Sequence, residues 1–279
     1  MKKKFSIWNL ICYLLLILLA VIFLSPFIFT FFTSIKPDEE IYASVMTIFP
    51  HTVVFDHYNR VFTQMTDFFS YFYNTVYVTL FSLLIVVVLS ATTGYTFGKL
   101  YFRGIGIFMG FILLVLTLPY AIYLIPIYLM QDKINLINTH WGLILPYTAM
   151  NLPMSVLIMR GHFKSIPNEL LDASIIDGCG YFKAWRYVML PIAKPGLAVV
   201  AILTFINVWG EFMFAQTLSN TPKAQTLSVG ITFLRDEAAS WQFGTLSAVI
   251  VMSLIPPLII FLAMQKYFVA GITEGALKG

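Results

Sequence analysis

The segment from Arg160 to Pro195, RGHFKSIPNELLDASIIDGCGYFKAWRYVMLPIAKP, is the longest polar interval in the second half of the chain, and long apolar runs flank it. Its proline and glycine residues divide it into two short predicted helices. Pro167 suits the first turn of a helix, where its missing N–H costs nothing. Gly178 and Gly180 favour a helix stop, since glycine readily adopts the left-handed conformation of a C-terminal cap. A second helix is predicted from Tyr181 to Leu190.

The first of these helices has a face that a partner could cover. Leu171, Ser174, Ile175 and Gly178 follow helical spacing and make one apolar or small face, which is predicted to be exposed. A soluble partner with a groove would bury this face. The alternative is an amphipathic loop that lies on lipid headgroups. Pro191 is predicted to end the second helix.

Composition places the chain among membrane proteins. The 279 residues are 59% hydrophobic and only 11% charged, whereas soluble domains average about 25% charged residues. The net charge of +4 is small, and no basic polar face is visible, so nucleic acid is not predicted as a partner. Cys12 and Cys179 form neither a disulfide framework nor a metal-ligand spacing.

Six apolar stretches are long enough to cross a membrane, which takes about 20 residues. The predicted fold class is therefore an all-α membrane protein with six transmembrane helices. Prolines in the third and sixth stretches predict kinks, which either surround a cavity or reflect irregular packing. The first stretch is too long for a signal peptide, so it is predicted to be an uncleaved helix. The six stretches are residues 10–33, 75–97, 105–129, 141–159, 196–218 and 245–265.

The basic residues predict the orientation of the chain in the membrane. With a cytoplasmic N-terminus, twelve of the 17 lysines and arginines lie in inside segments and five in outside segments. Because basic residues favour the cytoplasmic side, this bias predicts an N-in, C-in topology. The loop 160–195 is then cytoplasmic.

The segment 34–74 becomes an outside connection in this topology, and its second part predicts a short interfacial helix. His51 and His57 are six residues apart, a poor spacing for metal ligands on a helix, so no metal site is predicted. The side chains predicted to share one face of the helix are Phe55, Tyr58, Val61 and Phe62.

The chain lacks the motifs of the common enzymes that use nucleotides, zinc or a serine nucleophile. No G-x-x-x-x-G-K-[ST], H-E-x-x-H or G-x-S-x-G motif is present. The protein is therefore predicted to be neither an ATPase nor a recognisable hydrolase. No nucleophile–base pair or metal set is visible in the spans, which disfavours an intramembrane enzyme.

Glu211, in the sequence FINVWGEFMF, is the exception among spans that are nearly free of ionisable groups. Charge inside a membrane is expensive and usually marks function. Asn207 lies one helical turn earlier, so the two are predicted to line a path for a neutral, hydroxyl-rich solute. The alternative is an interhelical hydrogen bond, or an interfacial anchor with Trp209. Asn151 and Trp209 complete the predicted substrate-path residues.

The polar loop resembles the EAA loop of ATP-binding-cassette importer permeases. In that family the pattern is E-A-A, three residues, G, nine residues and I-x-L-P. This sequence has Asp172-Ala173-Ser174, then Gly178, then Val188-Met189-Leu190-Pro191, and both spacings match. Asp replaces Glu, Ser replaces the second Ala, and Val replaces Ile.

Four further segments resemble the carbohydrate-uptake branch of this family, close to the second permease of maltose-type transporters. In that branch the fifth-span motif is often W-N-E-F, and Gly210 replaces the Asn here. The resemblance implies a type I importer permease fold. The segments are SIKP, LPYAIYLIPIYLMQDKINLINTHWGLILPY, WGEF and QKYFVAGITEGALKG.

The resemblance also implies a function and a set of partners. The chain would be a non-catalytic, multi-pass subunit in a bacterial cell membrane that takes up a sugar or oligosaccharide and binds no cofactor itself. Its partners would be a second permease, a cytoplasmic ATPase dimer that uses ATP and Mg²⁺, an extracellular or periplasmic solute-binding protein, the sugar and membrane lipid. The implied ATPase-coupling residues are Asp172, Ala173, Ser174, Asp177, Gly178, Leu190 and Pro191.

The predicted organisation has three parts. Residues 1–73 hold the first span and the outside connection, residues 74–265 form the permease core with its loop, and residues 266–279 form a flexible cytoplasmic tail that could also touch the ATPase. One alternative is a membrane scaffold that recruits a soluble partner without transporting anything. Another is an importer for a related polar solute such as glycerol phosphate.

Overall fold

Helices make up all the regular structure that can be described. The computed structural model describes the backbone of residues 7–43, 47–234 and 242–276 and, within them, the side chains of residues 8–265. This part of the chain contains no strand, so the predicted all-α class is confirmed. The N-terminal lysines and the last three residues lie outside it. The helices are α1 Ile7–Thr33, α2 Asp38–Ile41, α3 Asp56–Gln64, α4 Phe68–Lys99, α5 Ile105–Thr117, α6 Leu124–Lys133, α7 His140–Ser165, α8 Asn168–Ile176, α9 Tyr181–Ala184, α10 Leu190–Ile192, α11 Lys194–Trp209, α12 Met213–Leu218, α13 Leu227–Gly230 and α14 Phe243–Ala276.

Within the described residues, α1, α4, α7 and α14 are each long and apolar enough to cross a membrane. Two further pairs of helical segments reach that length only when taken together. The segments 105–117 and 120–133 meet at 99°, and the segments 181–192 and 194–209 meet at 76°. The predicted number of six spans is therefore reached only if each bent pair counts as one span.

The third apolar stretch is not one continuous helix but is broken at Pro119, where a kink was predicted, so residues 105–129 form one span only if the bent pair counts as one. Leu118, which follows α5, is extended with φ −81° and ψ 131°. The cause is Pro119, which lacks an N–H and disfavours the helical conformation of the residue before it. The Val115 carbonyl that the break frees accepts hydrogen bonds from the Leu118 N–H (3.3 Å) and the Tyr123 hydroxyl (3.2 Å).

The fifth apolar stretch, predicted over residues 196–218, is also interrupted and does not form one continuous helix. Helix α11 begins at Lys194 and ends at Trp209, with Gly210 as its C-cap, and α12 forms a separate short helix. Glycine is a poor residue for a helix interior because it loses more backbone freedom there than any other residue. The break therefore lies at a residue of low helix propensity.

The C-terminal part of the sixth stretch differs from the prediction in another way. Helix α14 is continuous through Pro256 and Pro257 and extends to Ala276. The predicted flexible tail from residue 266 is therefore helical up to that residue. The role of the tail at the ATPase stays a prediction.

The chain divides into two compact units, one of residues 69–230 and 256–279 and the other of residues 1–68 and 231–255. In the first unit, α4 and α7 pack closely at Gly94. A Cβ atom at this position would lie 2.5 Å from the Met159 Cβ and 2.9 Å from the Arg160 nitrogen. Only glycine allows this approach of the two backbones.

In the second unit, the helix predicted within residues 34–74 is confirmed as α3. The residues that it buries differ from the apolar face that was predicted. His57 and Val61 are buried, whereas Phe55 and Phe62 are exposed. The His57 Nε2 lies 2.7 Å from the Lys36 carbonyl oxygen. A hydrogen bond to the backbone therefore offsets the cost of burying the imidazole. The spacing of apolar residues does not predict that a histidine is buried here.

An exposed turn of the same unit is held by the Glu40 carboxylate. The N–H groups of His51 (2.9 Å) and Thr52 (3.1 Å) both donate to it. The His51 N–H bond is the largest cause that lowers the pKa of Glu40. A lowered folded-state pKa means that these bonds stabilise the turn above the ordinary pKa of the carboxyl group and are lost as pH falls through the lowered value.

Gly178 closes helix α8 in the predicted left-handed conformation, with φ +86°. The Cys179 N–H donates to the Ser174 carbonyl and the Gly178 N–H to the Ile175 carbonyl, both at 3.0 Å, which is the Schellman pattern. The same prediction for Gly180 is wrong, because this residue is extended (φ −70°, ψ 162°) and caps the N-terminus of α9.

The second helix of the loop continues past Pro191, contrary to the prediction. After α9 the backbone makes a π-turn over Trp185–Met189 and then continues as α10 to Ile192. Proline lacks an N–H and its ring clashes with the carbonyl four residues earlier in an α-helix. The wider π-turn is compatible with a proline at this position, and the helical segment ends at Ile192, one residue past Pro191.

We predict that Gly178→Ala destabilises the protein by about 1–2 kcal/mol, because an alanine at positive φ is strained. The matched control is Gly161→Ala in α7, where the added Cβ meets open space and φ is helical. That change is expected to be neutral or to stabilise by up to about 1 kcal/mol. Thermal unfolding midpoints of the purified variants measure both effects. Equal midpoints for the two variants would contradict the cap.

Candidate functional site

A cleft with a volume of about 510 Å³ lies in the unit of residues 69–230, where α11 ends. Helix α7 and the bend after α5 supply the rest of its wall. Its lining combines aromatic, amide and carboxylate groups. The lining residues are Tyr120, Tyr147, Met150, Asn151, Asn207, Gly210, Glu211, Phe212 and Met213.

The carboxylate of Glu211 is the most heavily hydrogen-bonded group in this cleft. Its Oε1 accepts hydrogen bonds from the Tyr120 hydroxyl (2.8 Å) and the Phe214 N–H (3.0 Å). Its Oε2 accepts from the Tyr147 hydroxyl (2.5 Å) and the Ala215 N–H (3.0 Å). The two N–H groups belong to the first turn of α12, where a negative charge is favourable. Bonds to a carboxylate are also shorter and stronger than neutral ones.

Two asparagine side chains join α7 to α11 at the same cleft. The Asn207 Nδ2 donates to the Asn151 Oδ1 at 3.0 Å. The Asn151 Nδ2 in turn donates to the Tyr147 carbonyl at 2.8 Å. The interhelical hydrogen bond of the alternative interpretation is therefore present, and the two asparagines that make it also line the cleft, while the solute path stays a prediction. Among the described residues, the Asn207 Oδ1 has no hydrogen-bond partner.

The structure brings together three of the four predicted substrate-path residues and leaves Trp209 out of the cleft. The Trp209 ring stacks on Phe205 (5.3 Å between centroids) and meets Phe72 edge-on (6.0 Å). Two residues along a helix correspond to about 200° of rotation, so Trp209 points away from the side of Asn207. Glu211 reaches the cleft through the turn at Gly210 and not through helical spacing.

Sequence reasoning missed the two tyrosines that donate to Glu211. A signal was present, because the tripeptide Leu-Pro-Tyr occurs at residues 118–120 and again at 145–147. In both copies the tyrosine follows a proline inside an apolar stretch. The two hydroxyls donate to different oxygens of the same carboxylate.

The chemistry of the cleft fits recognition of hydroxyl groups. Amide and carboxylate groups pair with hydroxyls, and aromatic rings offer flat apolar surface. The lining contains one carboxylate and no lysine or arginine. No group of three or more His, Cys, Asp or Glu residues close enough to hold a metal ion occurs in the described parts of the chain.

The face of the loop that was predicted to be exposed is only half exposed, because Ile175 and Gly178 reach the surface but the other two residues do not. Leu171 is 5% exposed and Ser174 is also buried, so the prediction that they face a partner is wrong. Leu171 packs into an apolar cluster with Phe163 and Ile166, and the Ser174 hydroxyl donates to the Leu171 carbonyl at 2.7 Å. Ile176, which is 85% exposed, marks the outward face.

The coupling residues implied by the resemblance are therefore divided between two faces. Ser174 is buried, and Leu190 packs partly buried against the apolar cluster beneath the loop. The others reach the surface. These exposed residues are Asp172, Ala173, Asp177, Gly178 and Pro191.

Two side chains of α4 attach the loop to the rest of its unit. The Lys99 ammonium donates to the Ile166 carbonyl and to the Asn168 Oδ1, the latter at 2.7 Å. The Tyr95 hydroxyl donates to the Tyr181 carbonyl at 3.3 Å. Lys99 thus occupies a carbonyl that the end of α7 leaves free, which fixes the start of the loop.

The amino-acid sequence from residue 90 to residue 274 matches the family described as "binding-protein-dependent transport system inner membrane component". The chain belongs to this family. Its members are permease subunits of ATP-binding-cassette transporters, which are not themselves catalytic. The resemblance to importer permeases inferred from the loop is therefore confirmed.

Several relatives match this chain over most of its length and most of their own. It is 32% identical over 256 residues to the sulfoquinovosyl glycerol transport system permease protein SmoH of Agrobacterium fabrum, covering 92% of this chain and 89% of the relative. It is 31% identical over 281 residues to the galactooligosaccharides transport system permease protein GanQ of Bacillus subtilis, covering 100% and 99%. A crystal structure of a bacterial ABC transporter that imports the acidic polysaccharide alginate matches with a TM-score of 0.83 at 24% identity, covering 96% of this chain and 99% of that one. This last likeness shows the fold alone.

We predict that the two faces of α8 respond differently to truncation. Leu171→Ala should destabilise the protein by about 2–5 kcal/mol, because it opens a cavity in the apolar cluster. Ile176→Ala, its matched control on the exposed side, should change stability by less than about 0.5 kcal/mol. Thermal unfolding of the purified variants compares them. A larger loss for Ile176→Ala would show that the outward face is wrongly assigned.

Proposed function

We propose that this chain is a transmembrane permease subunit of an ATP-driven importer for a sugar or oligosaccharide in a bacterial cell membrane. The observation that carries the proposal is the outward face of α8, centred on Ile176, in a loop with EAA-type spacing on a chain of this family. The topology is N-in and C-in, which leaves the loop in the cytoplasm. A second permease completes the translocation path.

The loop acts as the coupling helix, which docks in a groove of a separate ATPase subunit. That subunit binds ATP and Mg²⁺ and supplies the energy. Asp172, Ala173, Asp177 and Gly178 surround Ile176 on the exposed side and form the contact. Ser174 and Leu190 support this contact from within, because they face the apolar core of the loop.

The transported solute is a neutral sugar, delivered by an extracellular or periplasmic solute-binding protein. Of the relatives named above, the Bacillus subtilis permease is named for galactooligosaccharides, which are neutral sugars, and the cleft offers amide oxygens and aromatic rings. A carboxylate without a cationic partner among the lining residues disfavours an anionic solute such as glycerol phosphate. The polar atoms of Asn207 and Asn151 are the proposed contacts.

Uptake measurements test the proposed transport. Cells with and without the gene are compared for the uptake of labelled neutral oligosaccharides and of glycerol phosphate. We expect loss of uptake of at least one neutral oligosaccharide when the gene is deleted, with glycerol phosphate uptake unaffected. Unchanged uptake of every sugar would favour a scaffold, and loss of glycerol phosphate uptake alone would reject the neutral substrate class.

We predict that Ile176→Glu prevents binding of the ATPase subunit while leaving the permease in the membrane. A charge in an apolar groove is unfavourable, and truncating one central contact typically weakens an interface by about 10-fold or more. The matched control is Ile48→Glu, an exposed isoleucine of the proposed outside connection (57% exposed, against 85% for Ile176). Co-purification of the ATPase with each variant is the measurement. Equal recovery of the ATPase with both variants would argue against docking on this face.

A further inference from the structure

We propose that Glu211 is a positioning residue that fastens three segments of the chain to one another, and that it does not itself bind the transported solute. The geometry that points to this role is the set of four hydrogen bonds at its carboxylate, from Tyr120, Tyr147, Phe214 and Ala215. The inference goes beyond the proposed transport function and relies on it only for the uptake measurement.

The first argument is the saturation of the carboxylate. An ionised carboxyl group accepts about four hydrogen bonds, two at each oxygen. Each Glu211 oxygen already accepts one tyrosine hydroxyl and one backbone N–H, so four donors are in place. A solute hydroxyl could bind only by displacing one of them. The Asn207 Oδ1, by contrast, has no partner among the described residues and can accept a bond directly.

The second argument is where the four donors come from. Tyr120 is the first residue of the turn that follows the 99° break between segments 105–117 and 120–133. Tyr147 directly follows Pro146, which lies inside α7. The two N–H groups belong to α12, beyond the break at Gly210. One side chain therefore bonds residues of three apolar stretches, two of which are broken, at Pro119 and at Gly210, while the third, α7, is continuous through Pro146. Both tyrosines belong to a Leu-Pro-Tyr tripeptide.

The third argument is that the backbone of Glu211 is fixed as well. Its carbonyl oxygen accepts a hydrogen bond from the Ser228 hydroxyl at 2.6 Å, and its N–H donates to the Val208 carbonyl at 3.3 Å. The residue thus has partners at both backbone groups and at both carboxylate oxygens. Such a group suits the alignment of neighbouring elements better than the reversible capture of a mobile ligand.

The clamp also sets the position of the solute-facing amides. Tyr147 bonds Glu211 through its hydroxyl, while its carbonyl accepts from Asn151, whose Oδ1 receives the Asn207 amide. A continuous series of hydrogen bonds therefore runs from the broken end of α11 through α7 and back to α11. Loss of the clamp should disturb the conformational step of transport more than the affinity for solute.

Isosteric and single-hydroxyl substitutions test this role in the complete transporter, reconstituted with its partner permease, ATPase and binding protein. Glu211→Gln keeps the shape but has only one acceptor oxygen for four donors. Tyr147→Phe and Tyr120→Phe each remove one donor. The control is Tyr123→Phe, which removes a hydroxyl on the same turn that bonds the Val115 carbonyl and does not line the cleft.

A positioning role predicts a split between rate and affinity. Glu211→Gln should lower the maximal uptake rate by about tenfold and leave the half-saturating solute concentration unchanged. Tyr147→Phe and Tyr120→Phe should lower the rate less, in the same direction, and Tyr123→Phe should not change it. A raised half-saturating concentration at an unchanged maximal rate would make Glu211 a solute ligand and overturn the proposal. Wild-type kinetics for Glu211→Gln would overturn it as well.

A double-mutant cycle provides a readout that does not depend on transport. Because both changes remove the same interaction, Glu211→Gln with Tyr147→Phe should lower the thermal midpoint of the purified complex no further than Glu211→Gln alone. Additive losses would overturn the clamp. If Glu211→Gln does not assemble, the cycle is run with Tyr147→Phe and Tyr120→Phe. A wild-type complex that transports no sugar would reject the proposed function and leave this cycle valid.

Discussion

The fold depends on how backbone groups find partners where apolar helices are interrupted. In a membrane no water replaces a missing hydrogen bond, so each break must be satisfied by the protein itself. Pro146 frees the Gly142 carbonyl in α7, and the Gln131 side chain donates to it at 2.7 Å. At the end of α11 the Glu211 carboxylate accepts the first N–H groups of α12. Polar side chains such as Gln131 and Glu211 therefore lie where these apolar helices are interrupted, and the cleft forms at the end of α11.

The sequence predicted the class of fold and much of the cleft, but not the path of the chain through it. Long apolar runs indicate membrane helices whatever their neighbours, because the period and length of the runs suffice. The prediction failed where helical spacing was continued past Gly210, because Glu211 reaches the cleft through a turn and not as a helical neighbour of Asn207. Trp209 was also predicted among the path residues, although its position on α11 turns it away from Asn207. The tyrosine partners depend on the bend at Pro119, and a proline predicts a break without giving its direction.

The burial of Leu171 and Ser174 on α8 has a related cause. Helical spacing groups Leu171 with Ser174, but it does not say which side of a short helix is covered. Part of the cover comes from Tyr95 on α4, which lies far away in the sequence, and part from Phe163 at the end of α7. Gly178, by contrast, was predictable because its left-handed conformation is a local property of the helix end.

The two regions of interest share their supporting helices, which argues that they act together. Helix α7 carries Tyr147 and Asn151 at the cleft and Phe163 in the cluster beneath the loop. Helix α11 starts directly after the loop and ends at Glu211. Close packing at Gly94 ties α4 to α7, so a displacement of the loop cannot be absorbed by sliding between these two helices. If α8 is the coupling helix, as proposed, its displacement is expected to reach the hydrogen bonds at the cleft, and the saturated carboxylate at the end of α11 would transmit it as one step.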